Sequence, residues 1–300
     1  MRLTRPSVRT DDRPSLDPDQ RAVVESDEER LLVVGAPGTG KTTLALELVL
    51  TRCAAGLLTP EDVLFLAPTR RGAAELRDRL TIMLARTTGE PVVRTPSSIA
   101  FSILRRRALL HGEPGPSLIS GPEQDVVLRE LLQGHLADDG APNPWDGLVP
   151  PESLALPAFR GELRDLMMRA AERGLGPADL DELGVRFGRR EWRAAAVAYQ
   201  EYLDVTALRQ STPDAGARFD PAVVVDEAAQ ALANWGAELS ESTRPSWQLV
   251  VVDDYQEATA ATVRLLHELA DGGARLVLLA DPDSAVQTFR GASPSFVGRA

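Results

Sequence analysis

The chain has 300 residues, 43% of them hydrophobic, which suits one large domain or two modest ones with buried cores. Cys53 is the only cysteine and the three histidines (His111, His135, His267) are scattered, which excludes a disulfide framework and a thiolate metal cluster. A net charge of −11 argues against a basic nucleic-acid binder as a whole, though a local groove can be positive on an acidic molecule.

MRLTRPSVRTDDRP, residues 1–14, is charged and proline-containing, with no apolar segment of the signal-peptide kind. The apolar runs further on are strand-length, far short of the roughly 20 residues that span a bilayer. A cytoplasmic protein with no membrane partner is expected. After LDPDQ (16–20), the short apolar strand LLVV (31–34) leads into Gly35, Ala36, Pro37, Gly38, Thr39, Gly40, Lys41 and Thr42, then into a helix-forming segment with Leu44, Leu46, Leu48 and Leu50. This is G-x-x-x-x-G-K-[ST] in its required strand–loop–helix context. The glycines let backbone N–H groups turn toward a phosphate, and the helix N-terminus adds partial positive charge. Of 33 basic residues, 32 are arginine, and Lys41 is the single lysine. A compact ammonium on a flexible stem suits the β- and γ-phosphates of ATP better than a planar fork. Thr42 supplies a hydroxyl for Mg²⁺.

Residues 105–241 carry helix-like patterns (EQDVVLRELLQGHL, FRGELRDLMMRAAERG, EWRAAAVAYQEYLDVTALRQ) between proline- and glycine-rich joints. Two stretches then compete for the acidic strand end that a P-loop ATPase needs. VVVDEAAQ (223–230) follows Asp220-Pro221, read as a helix N-cap with proline in the first turn, and continues as AAQALANW at helical spacing. It is expected to be a helix with Asp226 and Glu227 on a solvated face. WQLVVVDDYQE (247–257) is a bounded β-branched strand, followed by a helix-like TAATVRLLHELADGG and a further strand, ARLVLLADPD. That β-α-β rhythm demands a parallel sheet. Asp253 is therefore the expected Mg²⁺ ligand and Asp254 the residue beside the attacking water.

With these motifs in order, the sequence resembles the UvrD/Rep-type superfamily 1 DNA helicases along nearly its whole length. LDPDQ is similar to the family's Q motif, which makes Gln20 the adenine reader. VLFLAPTRRGAAELRDRL (63–80) and RTPSSIAFSILRR (94–106) resemble its DNA-gripping segments, implying DNA contacts for Thr69, Arg70, Arg71 and Thr95. VVVDDYQE resembles the DExQD box, and ADPDSAVQTFRGA (280–292) the GDPDQSIYxFRGA segment, with Phe289 as the base-stacking aromatic beside Arg290. The resemblance implies an α/β fold: a RecA-like P-loop NTPase sheet (residues 1–104 and 242–300, subdomain 1A) with an inserted, mostly helical subdomain (105–241, 1B) and no second RecA-like domain in this chain. It also implies a 3′→5′ ATP-dependent helicase of DNA repair or recombination, acting on single-stranded or 3′-tailed DNA.

Departures from the family pattern include the groups that sense the γ-phosphate. Asp254 stands for glutamate, Ser284 for glutamine, Gln287 for tyrosine, Thr43 for arginine and Ser97 for histidine. They imply sound ATP binding and leave turnover open, while the lack of the second RecA-like domain, whose arginine fingers complete the family's ATP site, makes poor hydrolysis by these 300 residues alone the expectation. A second reading stays open: a regulatory subunit with a vestigial motor, which binds DNA and nucleotide while a partner hydrolyses ATP. AERGLGPADLDELG is similar to actinobacterial AdnAB-type chains, a resemblance that implies an AdnAB-like helicase–nuclease subunit, with a helicase–nuclease partner subunit beside it.

Overall fold

The computed structural model describes residues 15–84, 89–137, 143–210, 216–239, 242–286, 288 and 291–299. Seven strands are present among them: β1 (Arg30–Val34), β2 (Val63–Leu66), β3 (Val93–Arg94), β4 (Ser117–Leu118), β5 (Arg218–Phe219), β6 (Leu249–Val252) and β7 (Arg275–Ala280). The helices are α1 (Pro18–Glu25), α2 (Lys41–Ala54), α3 (Arg70–Leu84), α4 (Pro96–His111), α5 (Gly121–Leu136), α6 (Pro151–Leu154), α7 (Pro157–Glu172), α8 (Pro177–Arg186), α9 (Arg190–Gln210), α10 (Val224–Glu238) and α11 (Ala260–Asp271). Several start where the sequence says they should. Proline occupies the first turn of α1, α5, α6, α7 and α8, where its missing N–H costs nothing. Asp17 and Gln20 close a capping box on α1, and Ser120 and Glu123 close one on α5. No helix among the described residues is long and apolar enough to cross a membrane.

Backbone contacts divide the chain into two compact units. The first holds the described residues up to Ile99, Arg244–Ala258, and those from Thr262 onward. Its centre is a five-stranded parallel sheet in the order β1-β7-β6-β2-β3. Every residue of β2 and β6 is buried, as continuous apolar runs in a parallel sheet require, whereas β1 at one end of the order is only half-buried. Leu44 to Leu50 of α2 are buried without interruption and join Phe65, Val93, Val251 and Val277 in one core.

The second unit holds the described residues between Ala100 and Thr243, with Thr259–Ala261. Leu128 and Leu132 of α5, Leu163 and Met167 of α7, and Tyr199 and Tyr202 of α9 form its core. Ala194, Ala195 and Ala198 keep one face of α9 small, so neighbouring helices approach closely. A short parallel pair, β4 with β5, adds the only strands of this unit among the described residues.

VVVDEAAQ is helical, in α10, as its spacing demands, but two details differ from the sequence reading. Asp220 does not cap the helix with its side chain. Its carbonyl accepts the N–H groups of Val223 and Val224, while its buried carboxylate accepts Gln124 Nε2 (2.6 Å) and Tyr202 Oη–H (2.9 Å). Burial raises the Asp220 carboxyl and the Tyr202 phenol above their ordinary ranges, and those two bonds partly offset the cost for Asp220. Glu227 and Asp226 are half-buried rather than solvated, because Val224, Val225, Ala228 and Ala229 bury a wide arc of α10. Desolvation pushes the Glu227 carboxyl up.

Leu46→Ala, which empties a fully buried site, is expected to destabilise the protein by about 2–5 kcal/mol in urea unfolding. Leu109→Ala, at a side chain 75% exposed, should shift stability by no more than about 0.5 kcal/mol.

Candidate functional site

All five strands of the sheet run in one direction, so their carboxyl ends share one edge. In sheet order that edge carries Gly35 after β1, Asp281 after β7, Asp253 after β6, Ala67 to Thr69 after β2 and Thr95 after β3. Open α/β sheets bind ligands at this edge.

The phosphate loop leaves β1 with the Gly35 N–H donating to the Ala280 carbonyl of β7 (3.1 Å). Two of its residues take the left-handed conformation that favours glycine. Gly38 has φ 78° and Gly40, at the entry to α2, has φ 85°. Lys41 Nζ lies back across the loop, donating to the carbonyls of Gly35 (2.6 Å) and Ala36 (3.0 Å). The Ala36, Pro37, Gly38 and Thr39 turn is closed by Thr39 Oγ1–H to the Ala36 carbonyl (2.8 Å). Thr43 is half-buried in the first turn of α2. Gln20 reaches this loop from α1. Its Nε2 donates to the Thr39 carbonyl (3.3 Å) while its Oε1 accepts the Asp17 N–H (3.2 Å). Both ends of the Gln20 amide are thus engaged inside the chain, and an adenine would have to take their place.

Thr42 Oγ1 donates to Asp253 Oδ2 at 2.9 Å, across 211 residues of sequence. Asp253 is 6% exposed, and its second oxygen, Oδ1, is buried without a hydrogen-bond partner. Burial, and next the charge of Asp254, pushes its carboxyl up to about 6, against the pull of Thr42, of the Asp254 backbone N–H and of Lys41. A buried carboxylate oxygen with nothing to bind, beside a hydroxyl, is a donor set that fits Mg²⁺, which takes one or two carboxylates together with phosphate oxygens.

Asp254 begins the 3-10 turn Tyr255–Glu257 in the left-handed region, φ 51° and ψ 50°, the only non-glycine residue at positive φ among those described. Aspartate tolerates that conformation better than most side chains, and such strained residues gather at functional sites. Its Oδ1 accepts Gln256 Nε2 (3.1 Å). Gln256, almost fully buried, also sends Nε2 to Ser284 Oγ (3.5 Å) and accepts the Asp281 N–H on Oε1 (2.9 Å). One amide therefore ties the end of β6 to the segment after β7. Asp281 is itself buried, with Oδ2 unpartnered. Sequence reasoning gave no role to Gln256 or Asp281. Their signal was there, since Gln256 stands at the Q of the DExQD-like stretch and Asp281 at the first D of the GDPD-like one.

Further along the edge, Thr69 starts α3, its Oγ1 accepting the Gly72 N–H (3.0 Å), and Thr95 starts α4, its Oγ1 accepting the Ser98 N–H (3.2 Å). Thr69, Arg70 and Arg71 are exposed, and Arg71 is drawn to Glu75 one turn on (2.9 Å). Phe289, Arg290 and Gln287 lie outside the described residues.

Two outcomes are expected. Asp254→Leu should cost roughly 1–2 kcal/mol in denaturant unfolding, whereas Asp254→Asn, which keeps a side chain tolerant of φ > 0, should be nearly neutral. The raised folded-state pKa of Asp253 means its contribution to stability is full below pH 3.8 and is lost as pH rises through about 6. Asp253→Asn in EDTA should therefore exceed the parent in stability at pH 7.5, by about 3 kcal/mol at roughly 1.4 kcal/mol per pH unit, and the gap should close by pH 4. Urea unfolding at the two pH values reads this directly, and a parent at least as stable as the variant at pH 7.5 would contradict it.

Residues 16–300 match the family model of the UvrD/REP helicase N-terminal domain. The chain is 28% identical over 293 residues to the ATP-dependent DNA helicase UvrD1 of Mycobacterium leprae, covering 93% of this chain and 35% of that protein. It is 26% identical over 305 residues to UvrD2 of Mycobacterium tuberculosis, covering 94% and 38%. It is 21% identical over 286 residues to DNA helicase II of Escherichia coli, covering 95% and 36%. The chain thus spans a little over a third of the length of these relatives. A phosphate loop, an acidic strand end and a parallel sheet in this arrangement, with a family match over nearly every residue, make the chain a member of the UvrD/REP helicase N-terminal domain family.

Proposed function

We propose that this chain is the nucleotide-binding part of an ATP-dependent 3′→5′ DNA helicase working in repair or recombination, in the cytoplasm. The observation that carries the reading is the Thr42–Asp253 pair with its unpartnered carboxylate oxygen beside a complete phosphate loop. In this reading residues 1–104 and 242–300 act as subdomain 1A and residues 105–241 as 1B. Gln20 exchanges its capping bonds for adenine. Lys41 leaves the loop carbonyls for the β- and γ-phosphates, and the amides of Gly35 to Thr43 cradle the rest. Thr42 and Asp253 hold Mg²⁺, whose charge draws off the negative charge that builds on the phosphates during transfer. Asp254, oriented by Gln256, positions water. Thr69, Arg70, Arg71 and Thr95, with Phe289 and Arg290, hold single-stranded DNA. A second RecA-like domain completes the ATP site in the whole protein.

A second reading is favoured by the Gln256 amide, which engages the Asp254 carboxylate and stands beside Ser284, where the family carries a longer glutamine. A carboxylate one methylene short and held by a neighbour gives little general-base help, worth roughly 10²–10⁴-fold where it is well placed. On this reading the chain is a regulatory subunit that binds DNA and nucleotide while a helicase–nuclease partner of the actinobacterial type performs the turnover.

Both readings require nucleotide binding. Calorimetric titration should show Mg–ATP binding to the folded chain, weakened at least tenfold by Lys41→Ala. A folded chain that binds no Mg–ATP would remove both.

A further inference from the structure

The second unit carries an exposed feature that the nucleotide site does not use. α8 and α9 meet at Gly184, where an added Cβ would come 2.6 Å from Arg193 Cγ and 3.0 Å from the Arg189 carbonyl. The turn between them is fixed by its backbone. The Phe187 N–H donates to the Leu183 carbonyl (2.9 Å), Arg189 N–H to Gly184 (2.8 Å), and Gly188 takes φ 64°. This rigid hairpin presents VRFGRR, residues 185–190, outward.

Phe187 is 60% exposed and meets Trp192 edge-on at 6.3 Å between centroids, with the Arg186 guanidinium 5.5 Å from the Phe187 ring centre. Arg186, Arg189 and Arg190 are exposed, and among the described residues none has a carboxylate partner, whereas Arg193 nearby is paired with Asp181 (2.9 Å). Residues 185–190 contain three cations and no acid, on a chain of net charge −11. Glu182 and Glu191 flank them in sequence. The choice of arginine carries no weight, since this chain uses it at 32 of 33 basic positions. The placement does. Arg189 and Arg190 sit at the entry to α9, where the helix dipole disfavours cations, and only Glu191 offsets them there. A large exposed aromatic beside a cluster of unpaired cations fits a polyanion that also offers flat apolar faces.

We propose that the α8–α9 turn is a contact for single-stranded nucleic acid. Arg186, Arg189 and Arg190 face phosphates, and a base packs on the Phe187–Arg186 platform. The inference rests on the DNA-binding reading above and adds a site to it.

The test is fluorescence anisotropy of a labelled oligothymidylate titrated with the chain across a range of salt concentrations. Arg189→Gln/Arg190→Gln should weaken binding and lower the slope of log K against log salt by about 1.4, at roughly 0.7 per phosphate contact. Phe187→Ala should weaken binding by roughly tenfold at unchanged slope. Thermal unfolding by circular dichroism should be unaltered in both, since the changed side chains are exposed. A parent that binds DNA with unchanged affinity and slope in the variants overturns this site and leaves the helicase reading standing. A parent that binds no single strand overturns both. Self-association lost in Phe187→Ala, with DNA binding intact, assigns the turn to a protein contact and also overturns the proposal.

Discussion

The bond between Thr42 and Asp253 is the constraint on which the site depends. It joins residues 211 apart in sequence, and it forms only because β1, β7 and β6 run parallel in register, so that their ends align. The sheet in turn depends on continuous burial of β2 and β6, and α2 is tied in by seven consecutive buried residues. A loop rich in glycine has no geometry of its own. Here it is fixed at one end by β1, at the other by α2, and across the gap by the Gly35–Ala280 bond.

That arrangement is not comfortable. Asp253 holds a buried carboxylate with one oxygen unsatisfied, Asp281 has another, and Asp254 takes a left-handed backbone between them in sequence. The buried carboxylate of Asp220, by contrast, accepts from Gln124 and Tyr202. Proteins tolerate such local exceptions where chemistry needs them. The contrast between Asp253 and Asp220 is physical support for reading the former as a ligand and the latter as structure.

Much of this was legible in the sequence because it is local. The phosphate loop, the prolines of the first helical turns and the β-branched strands each follow from a few neighbouring residues. So does the choice of VVVDDYQE over VVVDEAAQ, which rested on helical against strand spacing. What was not legible depends on contacts far apart in the chain. Nothing near Gln256 announces that its amide will join Asp254, Ser284 and Asp281. Asp220 looked like a helix cap because an Asp-Pro pair commonly is one, but Tyr202 and Gln124 take its carboxylate. Glu227 looked solvated because charge usually is, yet the apolar arc of α10 draws it inward. The αL conformation at Asp254 supplies a reason for aspartate that composition could not. A shorter, locally bonding side chain suits that backbone, whatever it costs in reach toward water.

The most direct measurement is ATP hydrolysis by the chain with and without single-stranded DNA, run beside Asp253→Asn and Lys41→Ala at saturating Mg²⁺. The result expected is a slow basal rate that depends on both residues, with DNA raising the rate of the parent alone. Hydrolysis that survives intact in Asp253→Asn would contradict it, because the strand end joined to Thr42 would then not be the place where the metal and the phosphates meet.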